Sequence, residues 1–369
     1  MNLQVLPKGA LVEWIELLSA RYRVIGPKRK QEVVQQQPAG DTQQPPREQY
    51  IFGELQGAHE LELSYPSTIL PPKKVFLPQK EELFSFKDNG HQVDLQLDER
   101  RTVIFGIHTC DLHAVLLLDQ AFSQGAADQH YMARRANTTL VSIECLEPCS
   151  ENAFCKDMGT WIMPETFDLH LTDLGHEYAL EIGSAKGSEL LQNLTNIRTA
   201  TETDYWRFNQ VISAKWARFP YRLEADLSEL PSLLAISYRS QVWEELGQQC
   251  LGCGTCTAVC PTCYCFDVVD EVNFDLTSGK RFRVWDSCQF GQFASVAGGH
   301  DFRNSRAARL RHRFYHKFKY QSDSFGLAGC VGCGRCAEAC LVNIKPIDVI
   351  NKLHRKRVAV SGKRQEVMG

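Results

Sequence analysis

The sequence predicts an α+β protein, with a mixed α/β amino-terminal domain followed by a mainly helical, cysteine-rich domain. Three observations carry this. Short apolar runs such as RTVIFGI and TTLVSIE alternate with segments of helical spacing before residue 200. Amphipathic stretches dominate residues 202–249. Beyond them the cysteines recur twice at one spacing.

The elements follow in order. Leu11, Trp14, Ile15, Leu18 and Tyr22 recur at helical spacing, so a helix is expected over roughly residues 1–25. Gln31 to Gln49, including QQQPAGDTQQPP, is too polar and proline-rich to supply a core and reads as a surface loop. RTVIFGI, ending at Ile107, has the character of a buried strand, and DLHAVLLLDQAF after it is helical in spacing. TTLVSIE (138–144) offers another strand, followed by a loop bearing Cys145, Cys149 and Cys155. TETDYWRFNQVISAKWARF and SYRSQVWEELGQQ read as a helical connector. The expected divisions are an α/β domain over 1–200, the connector over 201–245 and the cysteine-rich domain over 246–369, with helices between its cysteine runs.

A chain of 369 residues with 43% hydrophobic content can bury a substantial core. Its net charge of -3 gives no whole-chain attraction to nucleic acid or a membrane surface. The start, MNLQVLPKGALVEWIELL, has no cationic segment leading into a long apolar run, and no stretch approaches a membrane span. A soluble, cytoplasmic protein is expected. Fifteen cysteines, an odd number, do not suit a closed disulfide framework, and their clustering points to metal.

Cys250, Cys253, Cys256 and Cys260, followed by Pro261, match the bacterial ferredoxin run, and Cys330, Cys333, Cys336 and Cys340 repeat it. Three thiolates two residues apart can wrap three irons of a cube, while the fourth points toward a second cluster. Two [4Fe-4S] clusters with crossed ligation are therefore expected. One takes Cys250, Cys253, Cys256 and Cys340, and the other takes Cys330, Cys333, Cys336 and Cys260. Zinc is the alternative, but it gains nothing from the repeated x2, x2, x3 spacing. Leu341 stands where a proline usually follows the fourth cysteine. The stretch from Pro261 to Gly329 exceeds what a compact two-cluster ferredoxin holds between its runs, so a helical ferredoxin-like domain or one with a large insertion is expected.

The remaining cysteines are Cys110, Cys145, Cys149, Cys155, Cys263, Cys265 and Cys288. Three or four of them would hold a third cluster if the domains fold together, the alternative being buried free thiols. His108 and Asp111 flank Cys110. The simplest reading puts Asp111 near a helix amino terminus, where a carboxylate suits the dipole. No nucleotide-binding or zinc-protease motif occurs. Arg303, Arg306, Arg309, Arg311, Arg313, Lys317 and Lys319 form a basic segment. It reads as a solvated helix face or as a dock for an acidic redox partner, ahead of nucleic acid, which would leave the cysteines unexplained.

With these residues in hand, the chain resembles the beta subunit of cytoplasmic NAD(P)-linked [NiFe] hydrogenases, or sulfhydrogenases, and the related iron-sulfur component of anaerobic sulfite reductase. The resemblance covers nearly the whole chain. It rests on PPKKVFLPQKEELF, IFGIHTCDLHAVLLLDQAF, CPTCYCFDVVD, VWDSCQF, AGGHDFR and CVGCGRC. It implies an electron conduit between a flavin subunit handling NAD(P)H and a catalytic subunit, here of a [NiFe] hydrogenase. Cys110, Cys145, Cys155, Cys263, Cys265 and Cys288 fall inside the family-like strings and Cys149 does not, which favours those six for a third cluster. The glutamine- and proline-rich stretch and Leu341 depart from the family. Competing readings are the same relay in a sulfite- or sulfur-reducing complex, a catalytic iron-sulfur enzyme using the extra cysteines, and a redox sensor. The last lacks a helix-turn-helix pattern.

Overall fold

The computed structural model describes residues 3–30, 48–87 and 90–368, and the expected glutamine- and proline-rich loop falls almost wholly outside them. Its strands are β1 (Leu3–Pro7), β2 (Arg23–Arg29), β3 (Tyr50–Glu54), β4 (Lys80–Lys87), β5 (Gln92–Asp94), β6 (Thr102–His108), β7 (Thr138–Ile143), β8 (Leu169–Asp173), β9 (Glu177–Ile182), β10 (Arg198–Thr199), β11 (Phe266–Val272) and β12 (Gly279–Trp285). Eight form one sheet in the order β10-β1-β9-β8-β7-β6-β2-β3. Its centre, β2, β6, β7 and β8, is parallel, and antiparallel strands close both sides.

Strand periodicity divides this sheet between two cores. Val24, Val103, Phe105, Val141, Leu169 and Leu171 face the helix Leu11–Ser19 through Trp14, Ile15 and Leu18. Ile25, Ile104, Ile107 and Leu140 face the helix Thr109–Ser123 through Leu112, Val115 and Leu118. A bulge at Gly106, whose φ is +74°, breaks the register between Phe105 and Ile107, and the Tyr65 hydroxyl donates to the Gly106 carbonyl at 2.7 Å. The bulge gives Ile107 the face that residue 106 would have taken. The chain then enters the next helix carrying Cys110 and Asp111 in its first turn.

The amino-terminal helix is shorter than its spacing suggests. The α-helix covers only Leu11–Ser19, preceded by one 3-10 turn over Lys8–Ala10, and it lies between β1 and β2. Val5 and Leu6 are wholly buried in β1, where pairing with β9 outweighs any local helical preference.

Beyond residue 201 the chain forms helices over Glu202–Arg218, Leu230–Ile236 and Val242–Gln249. Thr201 and Asp204 form a reciprocal capping box at the start of the first, and Lys215 near its end donates to Glu144 at 2.6 Å. Leu233, Trp243, Leu246, Leu310, Phe314, Ile350 and Leu353 then make a separate helical core.

The stretch between the cysteine runs is not all helical. It begins as the hairpin β11-β12, and β12 pairs antiparallel with β4, giving a four-stranded sheet in the order β11-β12-β4-β5. Arg283 in β12 is buried and donates to Glu81 of β4 at 2.6 Å and also to Asp128. Main-chain bonds thus tie the insertion to residues 80–87. The basic segment follows as the helix Arg306–Tyr315, one π-helical turn over His316–Tyr320 and the short helix Gln321–Phe325.

Candidate metal centre

Both cysteine runs adopt one local geometry. Gly254 and Gly334, each with φ in the left-handed region, open the short helices Thr255–Ala258 and Arg335–Glu338. The Gly252 N–H donates to Cys250 Sγ at 3.3 Å, and the Gly332 N–H donates to Cys330 Sγ at 3.4 Å. Such backbone donors favour the thiolate and tune a bound cluster. At Gly332 there is a second constraint. A Cβ there would stand 2.6 Å from the backbone of Phe154 and Cys155, and the Phe154 N–H donates to the Gly332 carbonyl at 2.7 Å. The second run therefore lies backbone to backbone against the cysteine loop of the amino-terminal domain.

The eight run cysteines border two adjacent cavities. One is lined by Cys250, Cys253, Cys256, Cys336 and Cys340, and the other by Cys260, Cys330, Cys333 and Cys336. Cys340 thus joins the first run and Cys260 the second, while Cys336 borders both. Among the described residues, no three Cys, His, Asp or Glu side chains converge as they would around a single metal ion. A four-iron cube spreads its thiolates farther apart, because each binds a different iron, so the donor set fits a cube. Burial pushes the Cys256 and Cys333 thiols up to about 12. Cys253 is exposed and held below the usual thiol range by the Thr255 hydroxyl.

The surplus cysteines fall into two groups. Cys110 and Cys155 are buried together with Cys145 against Cys333 and Val331 of the second run. Cys149, which the sequence resemblance passed over, belongs with them. It stands beside Cys145 at the mouth of one cavity, and its Sγ lies 3.7 Å from His108 Nδ1. Its position four residues after Cys145, in the same loop, was the available signal. Cys145, Cys149 and His108 also reach an open cavity lined by Tyr65, Glu144 and Arg218. In the other group Cys263 neighbours Cys260, and Cys265 neighbours Cys288.

Asp111 lies in the first turn of its helix, as the sequence suggested, but its main partner is remote. It is wholly buried and accepts two hydrogen bonds from Arg335 of the second run, both at 2.6 Å. The basic segment likewise departs from a surface face. Arg306 donates to the Cys250 carbonyl at 2.8 Å, Arg311 covers the Tyr238 ring, and Lys319 pairs with Asp323. Arg313 and Lys317 are buried beside the cysteines. Lys317 donates to Thr262 Oγ1 at 2.6 Å. Lys73, also buried, donates to the Cys263 carbonyl at 2.8 Å.

The family model of the 4Fe-4S dicluster domain matches residues 249–344, the segment holding both runs. Fold and site thus define an iron-sulfur protein of the electron-transfer class. Over 306 residues the chain is 36% identical to the beta subunit of sulfhydrogenase 2 of Pyrococcus furiosus, an alignment covering 82% of this chain and 89% of that relative. The chain belongs to the sulfhydrogenase beta-subunit family. No solved structure matches it, and among the described residues no helix is long and apolar enough to cross a membrane.

Proposed function

We propose that the chain is the electron-relay subunit of a multi-subunit oxidoreductase, carrying electrons between a flavin subunit that handles NAD(P)H and a catalytic [NiFe] hydrogenase subunit. In this reading Cys250, Cys253, Cys256 and Cys340 hold one [4Fe-4S] cluster, and Cys330, Cys333, Cys336 and Cys260 hold the other. Clusters bound there would accept and pass single electrons. The observation that carries the reading is the crossed lining of the two cavities, since each takes the fourth cysteine of the other run.

A third cluster belongs with Cys110, Cys145, Cys149 and Cys155. Support comes from the packing of Cys110, Cys145 and Cys155 with Cys333 and from Cys149 beside His108, where a cluster would extend the line toward the open cavity at Cys145 and Cys149. Cys253 is exposed at the other end of the line. Electrons would then enter and leave on separate surfaces, as a protein between two partners requires. The complex works in the cytoplasm.

Anaerobically reconstituted protein is expected to hold about eight irons with the two ferredoxin clusters filled and about twelve with the third. Colourless protein with stoichiometric zinc would refute the assignment. In the complex, Cys253→Ser or Cys333→Ser should stop transfer from NAD(P)H to the catalytic subunit while the partial reaction of each partner persists. A second reading, a catalytic iron-sulfur centre, is favoured by one observation, that Cys145, Cys149 and His108 border an open cavity. A cluster there with one iron free of protein ligands would distinguish it spectroscopically.

A further inference from the structure

Among the described residues the fold buries six cations in the neighbourhood of the two sheets and the cysteines, and they differ in what neutralises them. Arg335 is paired with Asp111, Arg283 with Glu81 and Asp128, and Lys215 with Glu144. Each has the carboxylate that a buried charge requires. Among the described residues Lys73, Arg313 and Lys317 have none, and Lys73 lies over the Trp285 ring and donates to the Cys263 carbonyl, outside both cavities of the cysteine runs. Arg313 is 7% exposed and its Nε has no acceptor among the described residues, while Lys317 is 3% exposed and donates to the neutral Thr262 hydroxyl.

Both side chains face the cysteines. Arg313 lines the cavity of Cys250, Cys253, Cys256 and Cys340 and also the cavity of Cys260, Cys330 and Cys333, whereas Lys317 lines the second alone. The thiols nearest the Arg313 charge are Cys256 and Cys260 of the first run, Cys336 of the second, and Cys263, which lies outside both. Those facing Lys317 are Cys260, Cys263 and Cys330. The two cations stand one helical step apart, where Arg306–Tyr315 passes into the π-helical turn His316–Tyr320. A π turn inside a helix frequently marks a functional position.

An unpaired buried guanidinium is costly, and the anion that would compensate it is a four-cysteine cluster, which is negative when oxidised and more negative when reduced. We propose that Arg313 is a shared electrostatic bridge that raises the reduction potentials of both ferredoxin-type clusters together, with Lys317 adding to the second cluster only. The inference rests on the relay reading above. A positive charge common to both sites stabilises the extra electron on whichever cluster holds it, so Arg313 lifts both potentials without widening the gap between them. Lys317, beside the second cavity alone, biases the electron toward that cluster.

The test is a redox titration of the anaerobically reconstituted whole chain, followed by electron paramagnetic resonance, with iron counted in every sample. Arg313→Gln with full iron should shift both clusters toward the oxidised form by at least about tenfold at fixed potential, which is about 59 mV for a one-electron couple. Arg313→Lys, which keeps the charge, should remain within about threefold of the unmodified protein. Lys317→Met should move one cluster and leave the other. Arg313→Gln with full iron and unchanged titrations, or with only one cluster moved, overturns the proposal. Should Arg313→Gln lose iron, Lys317→Met decides: a shift of one cluster supports the electrostatic assignment, and no shift overturns it. Failure of the relay reading is separately visible, because the unmodified chain would then hold fewer than about eight irons.

Discussion

Replacing Asp111 by Asn keeps the size of the side chain and removes its charge, leaving Arg335 cationic in a site that excludes water. Asp111 is wholly buried, Arg335 is 5% exposed, and two hydrogen bonds of 2.6 Å join them. Removing one partner of such a buried pair costs about 3–5 kcal/mol, mostly from the charge left behind. The pair also links two segments that a cluster would need to share. Asp111 follows Cys110, Arg335 lies between Cys333 and Cys336, and the Cys110 side chain packs in the same group as Cys333. Asp111→Asn should therefore lower stability to urea by about 3–5 kcal/mol and deplete iron from the second run before the first. The double variant Asp111→Leu with Arg335→Met, which removes both charges, should recover most of that stability. Equilibrium urea unfolding by circular dichroism, with iron assay of each variant, measures both effects. A loss below about 1 kcal/mol for Asp111→Asn, or a double variant no more stable than the single, would refute the reasoning, since the pair would then behave as a solvent-screened contact.

Other outcomes follow from the same geometry. Under crossed ligation, Cys340→Ser should remove the resonance signal that Cys253→Ser removes, and Cys260→Ser the one that Cys333→Ser removes; pairing within each run would give the opposite grouping. Gly332→Ala should cost more than the about 1–2 kcal/mol of a left-handed backbone alone, because its Cβ would also press on Phe154, and thermal melts against Gly326→Ala, where a Cβ meets open space, isolate the difference. In iron-free protein near neutral pH, alkylation followed by peptide mapping should label Cys253 first. It is exposed and its thiol is held low, while Cys256 and Cys333 remain protonated with values near 12. Cys256 reacting as fast as Cys253 would contradict this.

The chemistry was legible because cysteine spacing is local. Three thiols separated by two residues each can meet one cube whatever the rest of the chain does, so both runs stood out. The strands β6 and β7 and the helices Thr109–Ser123 and Glu202–Arg218 were also plain, since their apolar periodicity is contained within each segment. The strand β1 and the hairpin β11-β12 were not. Their residues take strand form through partners far away in sequence, β9 for the one and β4 for the other.

By itself, then, the sequence determined the two ferredoxin-type runs and the α+β character of the chain, because spacing and periodicity are properties of short segments. Tertiary structure alone decided which surplus cysteines stand together. It brought Cys149 beside Cys145 and His108, and it separated Cys110, Cys145 and Cys155 from Cys263, Cys265 and Cys288. It also turned a run of basic residues inward at Arg313 and Lys317, and drew Asp111 from a helix end to Arg335. A charge can be read from one residue, but whether it meets water, a carboxylate or a ring of thiols depends on contacts that only the folded chain creates.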